Sequence, residues 1–290
     1  MLEYLKTIRY WLEYAGFRIV AAVYGILPVE MASAFSGWMW RCLAPFTYRH
    51  NRALENLRQS FPDKQPADLE IIARDMWENL GRTFAETFHL REIAGGTRIF
   101  VENPEEVEAI AAEQEGKLIC SGHISNWELI GAGMVRHGLK PMSVYQTIKN
   151  PLVDAYLLRR RRFLYIGGLF PKDRHIAQQL IRGARGGAAV FMLVDTRDYF
   201  GTSVDFFGRP APSSPFPGIL VRRLGLPIYI CTLVREKNVR FRFRIDRLEP
   251  DRAEDRQADI TAINRSIQAE IEKIIRANPA QWMWGARRWG

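Results

Sequence analysis

The sequence predicts an α/β fold: a mixed, largely parallel sheet covered by helices on both faces, with a helical N-terminal membrane-associating segment. Three observations support this prediction. Short apolar runs alternate with helical patterns between residues 98 and 195, which is the order of parallel strands joined by helices. The 290 residues, 47% of them hydrophobic, include no linker or internal repeat, which fits a single domain, 1–290. The first 48 residues are apolar and rich in tryptophan.

Within residues 1–48, the apolar stretch is interrupted by Arg18, Pro28, Glu30 and Arg41. A helix that spans a bilayer alone needs about 20 uninterrupted apolar residues, so these breaks favour docking into the membrane interface. A single spanning helix and a buried helical hairpin stay open as alternatives. No small-residue cleavage pattern follows a short basic start, so we do not interpret the segment as a removable signal peptide.

The elements that follow are predicted from hydrophobic periodicity. One amphipathic helix is expected over 67–93. Strands are expected at 98–101, 117–120, 142–146 and 188–195, with helices near 105–112, after Asn126, at 152–163 and at 176–182. The Gly- and Pro-rich stretch 196–218 is longer than a connection needs, so we interpret it as a functional loop.

Two strands and a helix are predicted for the remainder of the chain. The strands are 226–234 and 239–245, and the second alternates apolar residues with arginines. Such alternation predicts one face in the core and one strongly basic face. A stripe of isoleucines within 260–274 predicts the last helix, which Asn278 and Pro279 end.

Charge and cysteine content restrict the class of protein. The formal net charge of +9 indicates anionic partners, which include nucleic acid, an acidic protein, a phosphorylated lipid and a membrane surface. Cys42, Cys120 and Cys231 lie far apart with no CxxC spacing, so neither a disulfide framework nor a zinc site is indicated. A reducing, cytoplasmic setting is the simpler interpretation.

A histidine and a glutamate stand five positions apart in the stretch SGHISNWELIG, residues 121–131. Neither a continuous helix nor a strand brings such residues together, because they are roughly 140° apart on a helix and on opposite faces of a strand. They meet only if the chain turns between them. Gly122 permits a turn, and Ser125 or Asn126 can cap a helix that begins at Trp127.

We therefore predict a strand, a turn and a helix start, with His123 as general base and Glu128 as the carboxylate that orients its imidazole. The alternative is a helix-start glutamate favoured by the helix dipole, beside an ordinary loop histidine. Asn126 is a further candidate for contact with substrate. The chain has no GxSxG motif, and no cysteine has a sequence partner, so direct attack by the substrate's own hydroxyl is the simplest chemistry.

Two basic runs supply candidate binding or oxyanion residues. They are 157–163, with Arg159 and Arg161, and 171–175, with Lys172 and Arg174. Arginines at helix ends bind phosphate or stabilise an oxyanion, although a charged run is commonly a solvated face.

Two later stretches have alternative interpretations. Asp195 closes a buried strand at the edge where open α/β sheets place their sites, and it can equally be the structural partner of an arginine. The Trp-rich tail, 281–290, suits a lipid interface or an ordinary packed tail.

The stretch GHISNWE resembles the H-x4-D/E block of glycerolipid acyltransferases. Its Asn-Trp-Glu ending is close to the form found in bacterial lipid A secondary acyltransferases, the lauroyl and myristoyl transferases. Four further blocks are similar in order and spacing: RHNRALENLRQSFPD, KNPLVDAYLLRRRR, VDTRDYFGTSVDFFGRPA and LGLPIYICTLVRE. The resemblance covers almost the whole chain.

This resemblance implies acyl transfer from an acyl carrier protein thioester to a hydroxyl of an acylated, phosphorylated glucosamine lipid, an anionic glycolipid. The reaction would take place at the cytoplasmic face of the inner membrane, with no metal, other cofactor or nucleic acid. The resemblance gives His123 the general-base role and Glu128 the orienting role. It also gives Arg161 and Asp195 places in the site.

Three departures leave the acceptor head group open. Gln146, Thr196 and Ser125 stand where the family commonly has arginine, glutamine and glycine. An acyltransferase of the same architecture that acts on a lysophospholipid, an amino-acid lipid or a glycosylated phosphoinositide is therefore an alternative. A basic membrane- or nucleic-acid-binding protein without catalysis is an alternative of another class.

Overall fold

The computed structural model describes residues 2–173 and 175–289. In chain order, the strands are β1 (Ile99–Val101), β2 (Lys117–Ser121), β3 (Pro141–Tyr145), β4 (Gly168–Pro171), β5 (Ala189–Leu193), β6 (Thr202–Phe206), β7 (Arg209–Ser213), β8 (Ile228–Arg235) and β9 (Phe241–Leu248). The helices are α1 (Leu2–Ile26), α2 (Val29–Leu43), α3 (Tyr48–Ser60), α4 (Pro66–Glu86), α5 (Leu90–Gly95), α6 (Pro104–Ala112), α7 (Ile130–Arg136), α8 (Pro151–Arg161), α9 (Ile176–Arg185), α10 (Phe216–Leu224) and α11 (Arg256–Ala277).

The main sheet has the order β1-β9-β8-β2-β5-β3-β4. Neighbouring strands are parallel except β8 and β9, which are antiparallel. Alternate residues of β2 enter different core clusters: Leu118 and Cys120 pack in one, and Ile119 in the other. Both faces of the sheet are therefore covered, and the predicted α/β fold with a largely parallel sheet is confirmed.

Strand β9 shows the predicted alternation. Phe241, Phe243 and Ile245 are buried, and Arg242 and Arg244 between them are exposed. Because successive side chains of a strand point to opposite faces, one face completes the core and the other faces solvent with its charges.

The helix predicted over 67–93 is instead two helices, α4 and α5. The chain turns after Glu86, where Phe88 stacks on Tyr24 of α1 and the His89 ring Nε2–H donates to the Tyr24 carbonyl at 2.8 Å. These tertiary contacts override the continuous helical periodicity, which extends through both helices.

The prediction of one long loop over residues 196–218 was wrong. It contains the antiparallel pair β6 and β7 and the first turn of α10. Phe206 and Phe207 are buried against Trp282 and Trp284 of the tail, so aromatic packing orders a stretch whose glycines and prolines suggested a loop. Strand β4 was also not predicted.

The N-terminal helices are docked on one side only. Asn150, at the start of α8, donates to the Tyr10 carbonyl at 2.9 Å, and Phe17 packs edge-on against Tyr156. On the other side, large apolar residues are exposed: Leu5, Ile8, Trp11, Leu12, Ile19, Val20, Val23 and Ile26 of α1, and Met31, Phe35 and Trp38 of α2. A buried hairpin is thus not what forms. Within the described residues, no helix combines the length and apolar character that crossing a bilayer requires.

Candidate active site

The turn that follows β2 carries His123 and is held by the strand beside it. Asp195 follows β5, the parallel neighbour of β2. Its Oδ2 accepts the His123 backbone N–H at 2.7 Å, and its Oδ1 accepts Nδ1–H of the imidazole at 2.7 Å. A side chain at Gly122 would meet Asp195 Oδ2 at 3.3 Å and Ile271 at 3.2 Å, so glycine allows this close approach.

The ring nitrogens of His123 are therefore distinct. Nδ1 is occupied by Asp195, whereas Nε2 has no hydrogen-bond partner among the described residues. The imidazole is 18% exposed and Asp195 is 2% exposed. The carboxylate fixes the tautomer that leaves Nε2 available to accept a proton.

The two groups shift each other's pKa. Burial lowers the pKa of His123, but the charge and hydrogen bond of Asp195, with a smaller effect of Glu128, outweigh it and raise that pKa above its usual 6.5. Burial raises the pKa of Asp195, but the charge and hydrogen bonds of His123 and the Trp282 indole outweigh it and lower that pKa below its usual value. Asp195 is thus placed to stabilise an imidazolium.

The C-terminal tail completes the support of Asp195. The Trp282 indole N–H donates to Asp195 Oδ2 at 2.7 Å, and Trp282 forms a β-bridge with Ile124 of the turn. The Ser125 backbone N–H donates to the Gln281 carbonyl at 2.8 Å. Trp282 and Trp284 are buried, so the tail is a packed element and not a lipid-facing one.

Glu128 does not orient the imidazole by hydrogen bonding, which corrects the prediction from the sequence. Its Oε1 lies 2.7 Å from Nη2 of Arg161, and the two side chains are 11% and 21% exposed. A side chain at Gly131 would meet the Leu164 carbonyl at 2.4 Å, so glycine lets the segment after α8 approach the helix start. Glu128 acts on His123 only through its charge.

Arg161 and Asp195 lie near the turn as the sequence suggested. Asp195 partners the histidine and not an arginine. The Nε of Arg161 is buried and has no hydrogen-bond partner among the described residues. Glu128 holds this guanidinium at the helix start that follows the turn.

Asn126 has a different place from the one predicted. It is fully buried, caps no helix with its side chain, and donates its amide to Glu86 Oε2 at 2.8 Å. The Thr83 hydroxyl donates to the Ser125 carbonyl at 3.1 Å. Ser125 has a φ of 55°, a conformation that favours glycine, and these contacts hold it there.

Beneath the turn, Glu86 of α4 pairs with Arg235 at the end of β8. The Arg235 guanidinium donates to both carboxylate oxygens, at 2.5 and 2.9 Å. Sequence reasoning missed Glu86, Arg235 and Trp282. Two sequence features could have indicated the first two residues: Glu86 lies on the apolar stripe of α4, and Arg235 lies at the end of a buried strand.

Of the remaining predicted residues, two are exposed and one lies outside the described part of the chain. Arg159 is exposed on α8. Lys172 is exposed after β4, three strands from β2, which corresponds to roughly 14 Å across the sheet. Arg174 lies outside the described residues.

The arrangement suits proton transfer coupled to attack on a carbonyl. A base with one open nitrogen lies beside the parallel strands' carboxyl ends, where open α/β sheets place ligands. Arg161, paired with Glu128, supplies positive charge at the helix start that follows the His123 turn.

Comparison with known proteins supplies the family. No curated protein matches the chain. Among solved structures, the chain is similar to the 1-acyl-sn-glycerophosphate (LPA) acyltransferase PlsC from Thermotoga maritima, with 14% identity, 81% of this chain and 99% of that chain covered, and a TM-score of 0.39. The family model described as bacterial lipid A biosynthesis acyltransferase matches residues 2–290. Because that match covers nearly the whole sequence, the chain belongs to the bacterial lipid A biosynthesis acyltransferase family.

Proposed function

We propose that this acyltransferase moves a fatty acyl chain from an acyl carrier protein thioester to a hydroxyl of a lipid A precursor. The observation that carries the proposal is the double contact between His123 and Asp195, which leaves Nε2 of the imidazole open at the carboxyl edge of the sheet. A base so oriented suits a reaction in which the acceptor's own hydroxyl is the nucleophile.

In the proposed reaction, Nε2 of His123 takes the proton as the acceptor oxygen attacks the thioester carbonyl. Asp195 stabilises the imidazolium that forms, as the mutual pKa shifts indicate. The tetrahedral intermediate then collapses to the ester, the carbon–sulfur bond breaks, and the proton passes from His123 to the departing thiolate. The histidine is thereby restored, and atoms and charge balance.

Arg161 is the proposed stabiliser of the oxyanion. Its ion pair with Glu128 fixes the guanidinium at the edge of the turn, and its partial burial strengthens interactions with developing negative charge. Glu128 in this proposal positions Arg161 and adds a minor electrostatic effect on His123. It is not the histidine's orienting partner.

The proposed partners are an acidic carrier protein and an anionic glycolipid. A net charge of +9 accelerates encounter with both. Arg159 and Lys172, which belong to the basic runs 157–163 and 171–175, are both exposed. We propose that they contact the acceptor or the donor outside the reacting centre.

The proposed location is the cytoplasmic face of the inner membrane, through the exposed apolar sides of α1 and α2. Trp11, Ile19 and Trp38 are 56%, 67% and 60% exposed. A helix pair with a docked side and an apolar side is suited to lie in the interface. Co-sedimentation with phosphatidylethanolamine–phosphatidylglycerol vesicles tests the proposed membrane association. The double variant Ile19→Asp, Trp38→Asp should bind these vesicles less than the wild type does. Unchanged binding would contradict it.

The activity is tested with purified protein, the lauroyl or myristoyl thioester of acyl carrier protein, and a tetraacylated lipid A precursor. Mass spectrometry measures the masses of the products. Acyl-coenzyme A serves as alternative donor, and lysophosphatidic acid as alternative acceptor. We expect one added acyl group on the lipid A precursor, carrier protein as the better donor, and no product with His123→Ala. Transfer to lysophosphatidic acid alone would favour the lysophospholipid alternative and overturn the assigned acceptor.

A further inference from the structure

A basic cavity of about 450 Å³ lies between α3, β7 and the C-terminal tail. Five arginines line this arginine cavity: Arg52, Arg197, Arg209, Arg287 and Arg288. The lining includes a single carboxylate, Glu55, which pairs with Arg58 outside the cavity. Within the described part of the chain, none of the five arginines forms an ion pair. The cavity therefore concentrates positive charge that is only partly opposed, by the charge of Glu55 acting on Arg209 and that of Asp195 acting on Arg288.

Neutral groups hold these guanidinium groups in place. Arg288 is 1% exposed and donates to the Pro212 carbonyl at 2.8 Å and to the Ser213 hydroxyl at 2.6 Å. Arg209 stacks on the Trp289 ring, 3.6 Å from its centroid. Burying a cation without an opposing charge is costly, and neutral acceptors recover only part of that cost.

Unpartnered polar atoms gather in the same place. The Nε atoms of Arg197, Arg209 and Arg288 are buried with no hydrogen-bond partner, and they are three of the seven such side-chain atoms in the described residues. Burial also lowers the pKa of Arg288 to about 10 and lowers the pKa of Arg209. An anion in the cavity would relieve this unpaired charge.

We propose that the arginine cavity binds a phosphate group, the phosphomonoester of a lipid head group. Planar guanidinium groups match phosphate oxygens with paired hydrogen bonds. The volume admits a phosphorylated sugar or glycerol but not a protein helix. Acidic side chains of a partner protein would meet exposed arginines, whereas Arg288 is almost completely buried.

The position of the cavity connects it with the site. Arg197 follows Asp195 by two residues, and the tail that carries Arg287 and Arg288 also carries Trp282, which donates to Asp195. A phosphate in the cavity would therefore hold a lipid beside the structure that orients His123. The lipid assignment rests on the proposed acyl transfer, whereas binding of a phosphomonoester does not.

Binding is measured by calorimetry on the full chain with dihexanoyl phosphatidic acid, inorganic phosphate and dihexanoyl phosphatidylcholine. The double variant Arg52→Gln, Arg287→Gln removes charge from the accessible side of the cavity and leaves buried Arg288 intact. Arg240→Gln, an exposed arginine outside the lining, is the matched control. We expect the double variant to weaken phosphatidic acid binding about tenfold or more, with no change for the control.

Each other outcome decides against the proposal. Equal affinity of the double variant and the control for phosphatidic acid would remove the cavity as the site. Phosphatidylcholine that binds as well as phosphatidic acid would exclude recognition of a phosphomonoester. Inorganic phosphate that binds as tightly as phosphatidic acid would overturn the lipid assignment.

A kinetic experiment separates this proposal from the proposed reaction. With lipid A precursors that carry or lack their phosphates, the double variant should raise KM about tenfold for the phosphorylated acceptor and leave donor KM unchanged. An equal rise for both acceptors would contradict the cavity's role. If no acceptor is acylated, the proposed reaction fails while the calorimetry still decides whether the cavity binds a phosphomonoester.

Discussion

Two buried carboxylates, each paired with a basic side chain, flank the turn after β2, and the two pairs differ in which hydrogen-bonding atoms they leave without a partner. In the lower pair, each carboxylate oxygen of Glu86 accepts two hydrogen bonds: Oε1 from Ser33 and Arg235, and Oε2 from Asn126 and Arg235. In the upper pair, Asp195 accepts three hydrogen bonds, two at Oδ2 and one at Oδ1. The His123 ring is 18% exposed, and its Nε2 has no hydrogen-bond partner among the described residues.

The difference separates a structural pair from a chemical one. A charge pair with every donor and acceptor filled can only hold its neighbours, and Glu86 and Arg235 hold α4 to the end of β8 beneath Asn126. A pair with one open nitrogen can also exchange a proton. Loss of the structural pair should therefore reduce stability, and loss of the chemical pair should reduce turnover.

The largest expected effect is on turnover, from His123→Ala. Removal of a general base lowers the rate about 100- to 10,000-fold. The melting temperature should fall less than in Glu86→Gln, because buried Asp195 keeps the His123 backbone N–H and the Trp282 indole N–H as donors after the ring is lost. Steady-state assays and thermal unfolding of the same preparation measure both. Turnover at the wild-type rate would refute the base assignment.

Glu86→Gln tests the structural pair. It leaves the Arg235 guanidinium without its counter-charge in a buried site, so the free energy of unfolding should fall by about 3–5 kcal/mol. Chemical denaturation measures it, with Glu270→Gln on the surface of α11 as control, whose ion pair with Lys273 is exposed.

The double variant Glu86→Gln, Arg235→Gln extends this test. Because the two residues are in contact, it should lose less stability than the sum of the two single variants. Additive losses would show that the two residues do not act as a pair.

Arg161→Lys should lower turnover about 100-fold, because lysine keeps the charge but loses the planar fork that meets an oxyanion. Arg162→Lys is the matched control, since Arg162 is exposed and directly follows Arg161. Assays with carrier-protein thioester and lipid acceptor compare the two variants. Small and equal effects of the two substitutions would show that the basic run 157–163 is a solvated surface and that Arg161 has no special role.

The smallest expected effect is a shift in the pH profile, and it identifies which carboxylate acts on His123. Since Asp195 and Glu128 both raise the pKa of His123, and Asp195 raises it more, loss of either should move the acid limb of kcat/KM to lower pH. The shift should be larger for Asp195→Asn than for Glu128→Gln. The reverse order would restore Glu128 as the orienting residue.

Stability should follow the same linkage. The raised pKa of His123 contributes stability that is complete below pH 6.5 and lost as pH rises through the folded pKa. The lowered pKa of Asp195 contributes stability that is complete above pH 3.8 and lost as pH falls. The difference in unfolding free energy between wild type and Asp195→Asn should therefore be greatest between pH 3.8 and 6.5.

The sequence alone determined the local elements and the family. Hydrophobic periodicity was sufficient for most strands of the sheet, for α11 and for the alternation in β9, because each depends on neighbours within one element. The order GHISNWE predicted a strand, a turn and a short helical start, and the structure has β2, a turn at His123 and a 3-10 helix from Trp127. The blocks of resemblance identified the family that the comparison confirmed.

Only the tertiary structure decided which groups meet. The partner of His123 is Asp195, 72 positions away, and not Glu128, five positions away. That choice follows from the pairing of β2 with β5 and from the tail that brings Trp282 to the same carboxylate. Periodicity shows which face of an element is apolar, but the order of strands in a sheet depends on the packing of the whole chain. Contacts between distant residues therefore cannot be derived from the local pattern.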